Sequence, residues 1–466
     1  MKNTSLKSLL SYALGLGVLM LGAAFLLKFG SHVHAQWSGT RVSATEALSA
    51  VDMIRHYFHS PISHLLMQIT VILIVSKIFG QLFRLIGQPT VIGEIIAGIV
   101  LGPSLLGWLL PNWAKLIFAP GSMGILQMLS QLGLILFIFV VGLELDIKQL
   151  KQKAIKSIVI SHSSIFVSLI FGFALAIGLY QFYSPPTITF LPFALFIGIA
   201  LSITAFPVLV RIVQERGLTN HPIGALAISC AAIDDISAWL MLSVAIAIVK
   251  AGSPTAAWLS IGLSIVYVCA MFLVVRPLIT KLASKLTPHS SATFSILLVI
   301  MIVSAWITEI IGIHALFGAF LAGIACSGLV NIKTVIISKI EDLALLLLLP
   351  LFFAYSGLKT QIGLLSTPMD WAICGLIIIV AILGKLIGSG IAAKAVGESW
   401  YDSATIAILM NARGLVELVV LNIGYDLGVL NQTLFTMLVL MALVTTFMTG
   451  PSLDLINLLK RRLSTH

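Results

Sequence analysis

The chain has 466 residues, 59% of them hydrophobic and only 9% charged, with a mean hydropathy of +1.10. A soluble globular domain carries roughly 25% charged residues, so the composition excludes one and describes a polytopic membrane protein. The net charge of +10 does not point to nucleic acid. The basic residues cluster in short gaps between apolar runs, where they act as topology signals.

A membrane span needs about 20 apolar residues. In chain order such runs fall near 10–27, 62–84, 90–108, 123–144, 156–181, 190–213, 222–250, 257–283, 292–312, 315–331, 340–358, 371–396, 403–424 and 432–453. The expected fold is therefore an all-α bundle of 13–14 transmembrane helices. Lys and Arg concentrate in the gaps at 84–89, 145–156, 211–221, 276–292, 333–341 and 394–402 and in the tail 454–466. The opposite gaps hold only Arg41, Arg55, Lys115, Lys250 and Lys359. This asymmetry places the tail in the cytoplasm.

Two readings fit the first run. Lys2 and Lys7 precede it, Lys28 ends it, and the VHA before Gln36 has the small-residue character of a cleavage site. Cleavage leaves thirteen spans and an external N-terminus; retention gives fourteen and a cytoplasmic one. Residues 29–61 then form a short external segment. The chain carries no Rossmann-type glycine fingerprint, so no nucleotide domain is expected. Cys230, Cys269, Cys326 and Cys374 all lie in apolar runs without CxxC spacing and read as reduced thiols.

Asp234 and Asp235 interrupt the apolar run AISCAAIDDISAWLMLSVAIAIV. A carboxylate at bilayer depth costs several kcal/mol, and a neighbouring like charge adds to the cost. The pair implies a positively charged ligand, a proton or a metal cation. The bland alternative, two aspartates at a solvated helix end, fits poorly with the long apolar flanks on both sides. Adjacent residues are about 100° apart on a helix, so the two carboxylates can face different partners.

Lys385 is the complementary oddity, glycine-flanked and mid-span in WAICGLIIIVAILGKLIGSGIAAKAVG. Snorkelling to the cytoplasm would need a long reach, because Lys394 marks that face roughly 13 Å further on. A Lys385–Asp ion pair at common depth is the better reading. Two interrupted helices frame these residues. In ALSITAFPVLVRI, Pro207 removes a backbone donor, with Ser202 and Thr204 beside it. In AILMNARGLVELVVLNIG, Asn411, Arg413, Gly414 and Glu417 lie at membrane depth. Broken helices in corresponding places of two halves point to an ion site in a secondary transporter. Arg413 and Glu417 can pair at i, i+4 spacing. Glu94 and Glu144 read as interfacial or hydrogen-bonded, Glu309 and His314 as water-facing beside a short turn, and His162 as a hydrogen-bonded histidine.

The motifs GQPTVIGEIIAGIVLGPSLLG, FIFVVGLELD, LSITAFPVLVRIVQERGL, AAIDDISAW, HALFGAFLAG, LPLFFAYSGLKT and NARGLVELVVLNIGYDLGVLN resemble the monovalent cation:proton antiporter-2 family. The plant cation/proton exchangers and bacterial Kef- and NapA-like antiporters are the nearest flavour. The resemblance runs in order from about 62 to 453. Residues 1–61 lie outside the usual core of that family, and no large C-terminal regulatory domain like that of some members is expected.

The resemblance implies an inverted-repeat antiporter fold with a core ion-transport domain at 156–250 and 371–453. A dimerisation or scaffold domain at 62–145 and 292–358, a linker helix at 257–283 and a homodimer in the cell membrane, a bacterial inner membrane, also follow from it. It assigns the alkali cation (Na⁺ or K⁺) and proton to Asp235, and the first position of the double-Asp motif to Asp234. Charge compensation falls to Lys385. Thr204, Pro207 and Asn411 line the unwound crossing, and Ser202, Arg413 and Glu417 are further candidates. Asp at 234 together with Lys385 is similar to the electrogenic members.

The resulting expectation is a secondary active Na⁺ or K⁺/proton antiporter working by alternating access, electrogenic, with no cofactor and no enzymatic activity. The alternatives are a cation channel, which would need a filter of repeated carbonyls, and a solute carrier of related fold, which would favour a basic or hydroxyl-rich site.

Overall fold

A computed structural model describes residues 60–144, 154–218, 221–250, 254–283 and 290–464. The candidate span at 10–27, the segment 29–59 and the gap residues Lys148, Lys151, Lys153 and Lys285 lie outside them. All regular structure among the described residues is helical. The principal helices are α1 (Pro61–Leu85), α2 (Thr90–Leu101), α3 (Pro120–Glu144), α4 (Ala154–Tyr183), α5 (Phe190–Ser202), α6 (Phe206–Glu215), α7 (Pro222–Lys250) and α8 (Pro254–Ala270). There follow α9 (Ser291–Ile311), α10 (Ala315–Cys326), α11 (Val330–Leu343), α12 (Leu349–Lys359), α13 (Pro368–Ala395), α14 (Trp400–Leu409), α15 (Leu415–Asp426) and α16 (Gln432–Ser464).

Ten of the helical stretches are long and apolar enough to cross a membrane. They coincide with ten of the thirteen sequence-predicted spans that fall on described residues. The other three are the predicted 315–331, 340–358 and 403–424, and each is shorter or interrupted for a visible reason. α10 has 12 residues. The stretch 403–424 is the broken pair α14–α15, parted at Met410–Gly414.

The boundary expected at 333–341 is not a loop. α11 runs through it and continues by a π-helical turn at Ala344–Leu348 into α12. Lys333, Lys339 and Asp342 look like gap residues in sequence. Ile332, Ile336 and Ile340 are nevertheless buried at i, i+4 spacing and make a helical apolar stripe. The tail from 454 is likewise helical to Ser464, because α16 carries Pro451 inside it without stopping.

One pattern occurs twice: a long helix, a broken helix and a long helix. It is made first by α4, α5–α6 and α7, then by α13, α14–α15 and α16. α4 packs along α13, α5 and α7, while α13 packs also on α14 and α16. The remaining helices pack among themselves, α10 on α3 and α9, and α12 on α2 and α3. Small residues allow these approaches. A Cβ added at Gly388 of α13 would lie 2.8 Å from Ser164 Cα of α4, so the two backbones meet beside the buried residues described next.

Gly98 holds α2 against α12, since a Cβ there would sit 2.1 Å from the Ala354 carbonyl oxygen. A Gly98→Ala variant is expected to lose about 1–3 kcal/mol through overpacking. Gly121→Ala, where a Cβ meets nothing within 4 Å, is expected to be neutral. Thermal unfolding of the two variants in detergent checks the contrast.

Candidate functional site

The two broken helices meet at their breaks. The Ala205 amide donates to the Ala412 carbonyl at 3.0 Å, and the Thr204 hydroxyl donates to the Met410 carbonyl at 2.8 Å. The segments that leave helical geometry thus satisfy part of each other's backbone, which lipid could not do. Thr446 of α16 holds the second break: its hydroxyl accepts from the Arg413 amide at 3.0 Å and donates to the Arg413 carbonyl at 2.7 Å.

Asp234 and Asp235 project from the middle of α7 and are 1% and 2% exposed. Their surroundings differ, as their angular separation on the helix requires. Asp234 Oδ2 pairs with Lys385 Nζ at 2.9 Å, and its Oδ1 accepts from the Ser161 hydroxyl at 2.5 Å. Lys385 also donates to Thr204 Oγ1 at 2.8 Å, which ties the ammonium to the first break. Asp235 accepts the backbone N–H of Phe206, the first residue of α6, and its Oδ1 has no hydrogen-bond partner. None of the ion pairs among the described residues includes Asp235.

A second buried pair lies at the other break. Arg413 and Glu417 are both fully buried and 3.6 Å apart. Arg413 donates to the carbonyls of Ala200 and Leu201 at 2.7 Å each and so caps the last turn of α5. Glu417 stands in the first turn of α15. Four half-helix ends therefore meet four charges of suitable sign. Arg413 meets the carbonyl end of α5, and Lys385, through Thr204, the carbonyl end of α14. Asp235 meets the amide end of α6, and Glu417 the amide end of α15. Each arrangement opposes the local macrodipole.

Counted with every group ionised, three carboxylates (Asp234, Asp235, Glu417) face two cations (Lys385, Arg413), a balance of 2 − 3 = −1. A buried unpaired charge is costly, so the cluster is built to take up one positive charge. A cavity of about 400 Å³ lined by Glu144, Phe206, Pro207, Arg211, Gln214 and Leu415 reaches the amide ends of α6 and α15.

The sequence-predicted residues come together unevenly. Asp234, Lys385 and Thr204 share one network, while Asp235, next to Asp234 on α7, meets the Phe206 amide instead. Pro207 lies in the first turn of α6 and on the cavity wall. Asn411 is 5% exposed with its Oδ1 unpartnered. Ser202 turns away from the network, because its hydroxyl donates to the Ile199 carbonyl of its own helix at 2.9 Å. His314 is a helix cap rather than a water-facing group: it accepts from the Leu316 amide at 3.4 Å and is half-buried. Sequence reasoning missed Ser161 and Thr446. Ser161 sits in ISHSSIF, and such a run of hydroxyls inside an apolar span was the available signal.

A family model described as sodium/hydrogen exchanger, transmembrane, matches residues 70–457. The chain is 42% identical over 391 residues to "Na(+)/H(+) antiporter NhaS4" of Synechocystis, with 83% of this chain and 95% of that protein covered. It is 39% identical to "Cation/H(+) antiporter 17" of Arabidopsis thaliana, covering 84% of this chain and 48% of the relative. It is 35% identical to "K(+)/H(+) antiporter 1" of Saccharomyces cerevisiae, covering 88% and 48%. The chain thus spans about half the length of the plant and yeast relatives. Among solved structures, the sodium proton antiporter MjNhaP1 from Methanocaldococcus jannaschii has the same fold, with a TM-score of 0.61 at 15% identity over 84% of this chain and 96% of that one.

Removing one member of the Asp234–Lys385 pair strands the other in a dry interior. Asp234→Leu and Lys385→Met are each expected to cost about 3–5 kcal/mol, and the double variant to recover most of the loss. Thermal midpoints of the four proteins in detergent, read as a double-mutant cycle, test this. Additive losses would contradict the pairing.

Proposed function

The chain belongs to the sodium/hydrogen exchanger family, and from that membership and the charge balance of the buried cluster we propose that it exchanges Na⁺ or K⁺ for protons across a membrane. The observation that carries this reading is Asp235. It is buried, faces the amide end of a half-helix, keeps one oxygen unpartnered, and is the one carboxylate of the cluster outside an ion pair. A proton or a dehydrated alkali cation each supplies the missing positive charge. The two compete for one carboxylate, because each supplies the same single positive charge to the same buried group. Hard oxygen donors suit an alkali cation, and Asp235, Thr204 and Asn411 offer them around the breaks.

Asp234 and Lys385 do a different job. The pair keeps Lys385 charged without metal. A cation that enters beside Asp235 competes with Lys385 for Asp234; released from that pair, Lys385 gives up a proton, and exchange becomes electrogenic at two protons per cation. The broken helices carry the site. We place a moving core at 156–250 and 371–453 and a fixed scaffold at 62–145 and 292–358, with 257–283 linking them and homodimers forming through the scaffold. The basic gaps put the C-terminus in the cytoplasm. Relatives named for sodium and for potassium stand at 42% and 35% identity, so both ions belong in the assay.

Proteoliposomes holding a pH-sensitive dye test the reading. An inward cation gradient is expected to drive proton efflux, and Asp235→Asn to lower the rate about 100-fold or more, the scale of losing a required charge. Below the titration of the site, the half-saturating cation concentration is expected to rise about tenfold for each unit by which the pH falls. A cation dependence that ignores pH would reject competition at one carboxylate. Lys385→Ala is expected to abolish the voltage dependence; unchanged voltage dependence would remove the second proton.

A further inference from the structure

Two of the sequence segments, LPLFFAYSGLKT and NARGLVELVVLNIGYDLGVLN, contain charged residues that the buried site does not use, Lys359 and Asp426. Lys359 closes α12 and Asp426 closes α15. Their side chains meet at 2.6 Å, and Asp426 Oδ2 also accepts from Gln127 of α3 at 2.9 Å. We propose that Asp426, held by Lys359 and Gln127, is a clasp that closes the external end of the exchanger in this conformation and must open for the site to face outward.

The geometry fits a clasp better than a surface ion pair. The Lys359 side chain is only 12% exposed, and its ammonium lies 4.7 Å from the Tyr355 ring centre and 5.1 Å from that of Tyr425. A cation so enclosed between two aromatic faces and a carboxylate is better ordered than an exposed pair. Asp426 takes one hydrogen bond on each oxygen, from two different helices, α12 and α3. One turn deeper, Asn422 Nδ2 of α15 donates to Ser356 Oγ of α12 at 2.7 Å, giving a second, buried rung between the same two helices. Gln361 just past α12 donates its amide to Thr436 Oγ1 of α16 at 3.2 Å.

The opposite end differs. There Arg211 of α6 reaches Thr90 of α2 at 2.7 Å. Beside that contact open a cavity of about 740 Å³, lined by Lys77, Arg84, Glu94 and Arg211 among others, and the 400 Å³ cavity that leads to the broken helices. Contacts cross the proposed core–scaffold boundary at both ends, but beside Arg211 the boundary also opens into these two cavities. For the buried site to exchange sides, the clasp must give way. The clasp therefore sets the population of outward-facing molecules without touching the ion. This inference rests on the exchange reading above for its two-state motion, so its test uses a readout that needs no transport.

The reporter is Ser356→Cys in a Cys269→Ser background, labelled from outside intact cells with a membrane-impermeant thiol reagent. Ser356 is fully buried below the clasp, and the other native cysteines are buried. Asp426→Asn, Lys359→Gln and Gln127→Leu are each expected to raise the labelling rate about tenfold over the reporter alone, the effect of losing a charge-assisted hydrogen bond across the boundary. The exchanged pair Asp426→Lys with Lys359→Asp is expected to bring the rate back towards that of the reporter. Gln127→Leu leaves both charges in place and guards against misfolding, read as a monodisperse peak in detergent. Folded Gln127→Leu and Asp426→Asn that label no faster than the reporter would overturn the clasp, whatever their transport rates. Faster labelling in variants of a protein that moves no cation would uphold the clasp and sink the exchange reading instead.

Discussion

Three carboxylates and two cations share one dry volume where four half-helices end, and much of the rest of the fold exists to make that volume tolerable. Each charge is placed against a helix end of opposite sign or against a partner. Arg413 caps two carbonyls of α5, and Lys385 is held by Asp234 and Thr204. Their desolvation is offset by short polar contacts rather than by water. What these contacts leave over is one negative charge, on the carboxylate that no ion pair holds. The cluster is not in balance by itself, and its imbalance has the size of one monovalent cation or one proton.

The backbone accounts for the position of that charge. A continuous helix satisfies its own carbonyls and amides and has none to offer. The breaks at Ile203–Ala205 and Met410–Gly414 free such groups at bilayer depth, where each must be met. Some are met across the crossing, by Ala205 with Ala412 and Thr204 with Met410. Others meet Asp235 and Arg413. The close packing of α4 on α13 at Gly388 brings Ser161 and Lys385 each within hydrogen-bond distance of Asp234. Site and fold therefore share one cause: the same interruptions that weaken two helices supply the dipole ends that make buried charge bearable.

Much of this was legible in the chain. Asp234, Asp235 and Lys385 stand out because nothing else explains ionisable groups in runs so apolar, and Pro207 and the NARG segment announce the breaks. The span pattern was readable because about 20 apolar residues is a demand of the bilayer rather than of a particular fold. The misses have physical reasons. Charges at 333–342 imitate a loop, while the buried stripe of Ile332, Ile336 and Ile340 carries a helix through them. The span expected to end at 453 instead continues as helix to Ser464, taking the basic tail with it. The contacts of Ser161 and Thr446, and the capping of α5 by Arg413, join residues from distant parts of the chain, and local pattern does not report such meetings.

The central claim is that a bound metal ion replaces a proton on one buried carboxylate. Calorimetric titration of the purified protein with NaCl and KCl, repeated in buffers of different ionisation enthalpy, counts the protons released per cation bound. The account predicts at least one proton released for each cation in the native protein, and no cation binding in Asp235→Asn. Saturable cation binding with no proton release, or unchanged binding in Asp235→Asn, would contradict it.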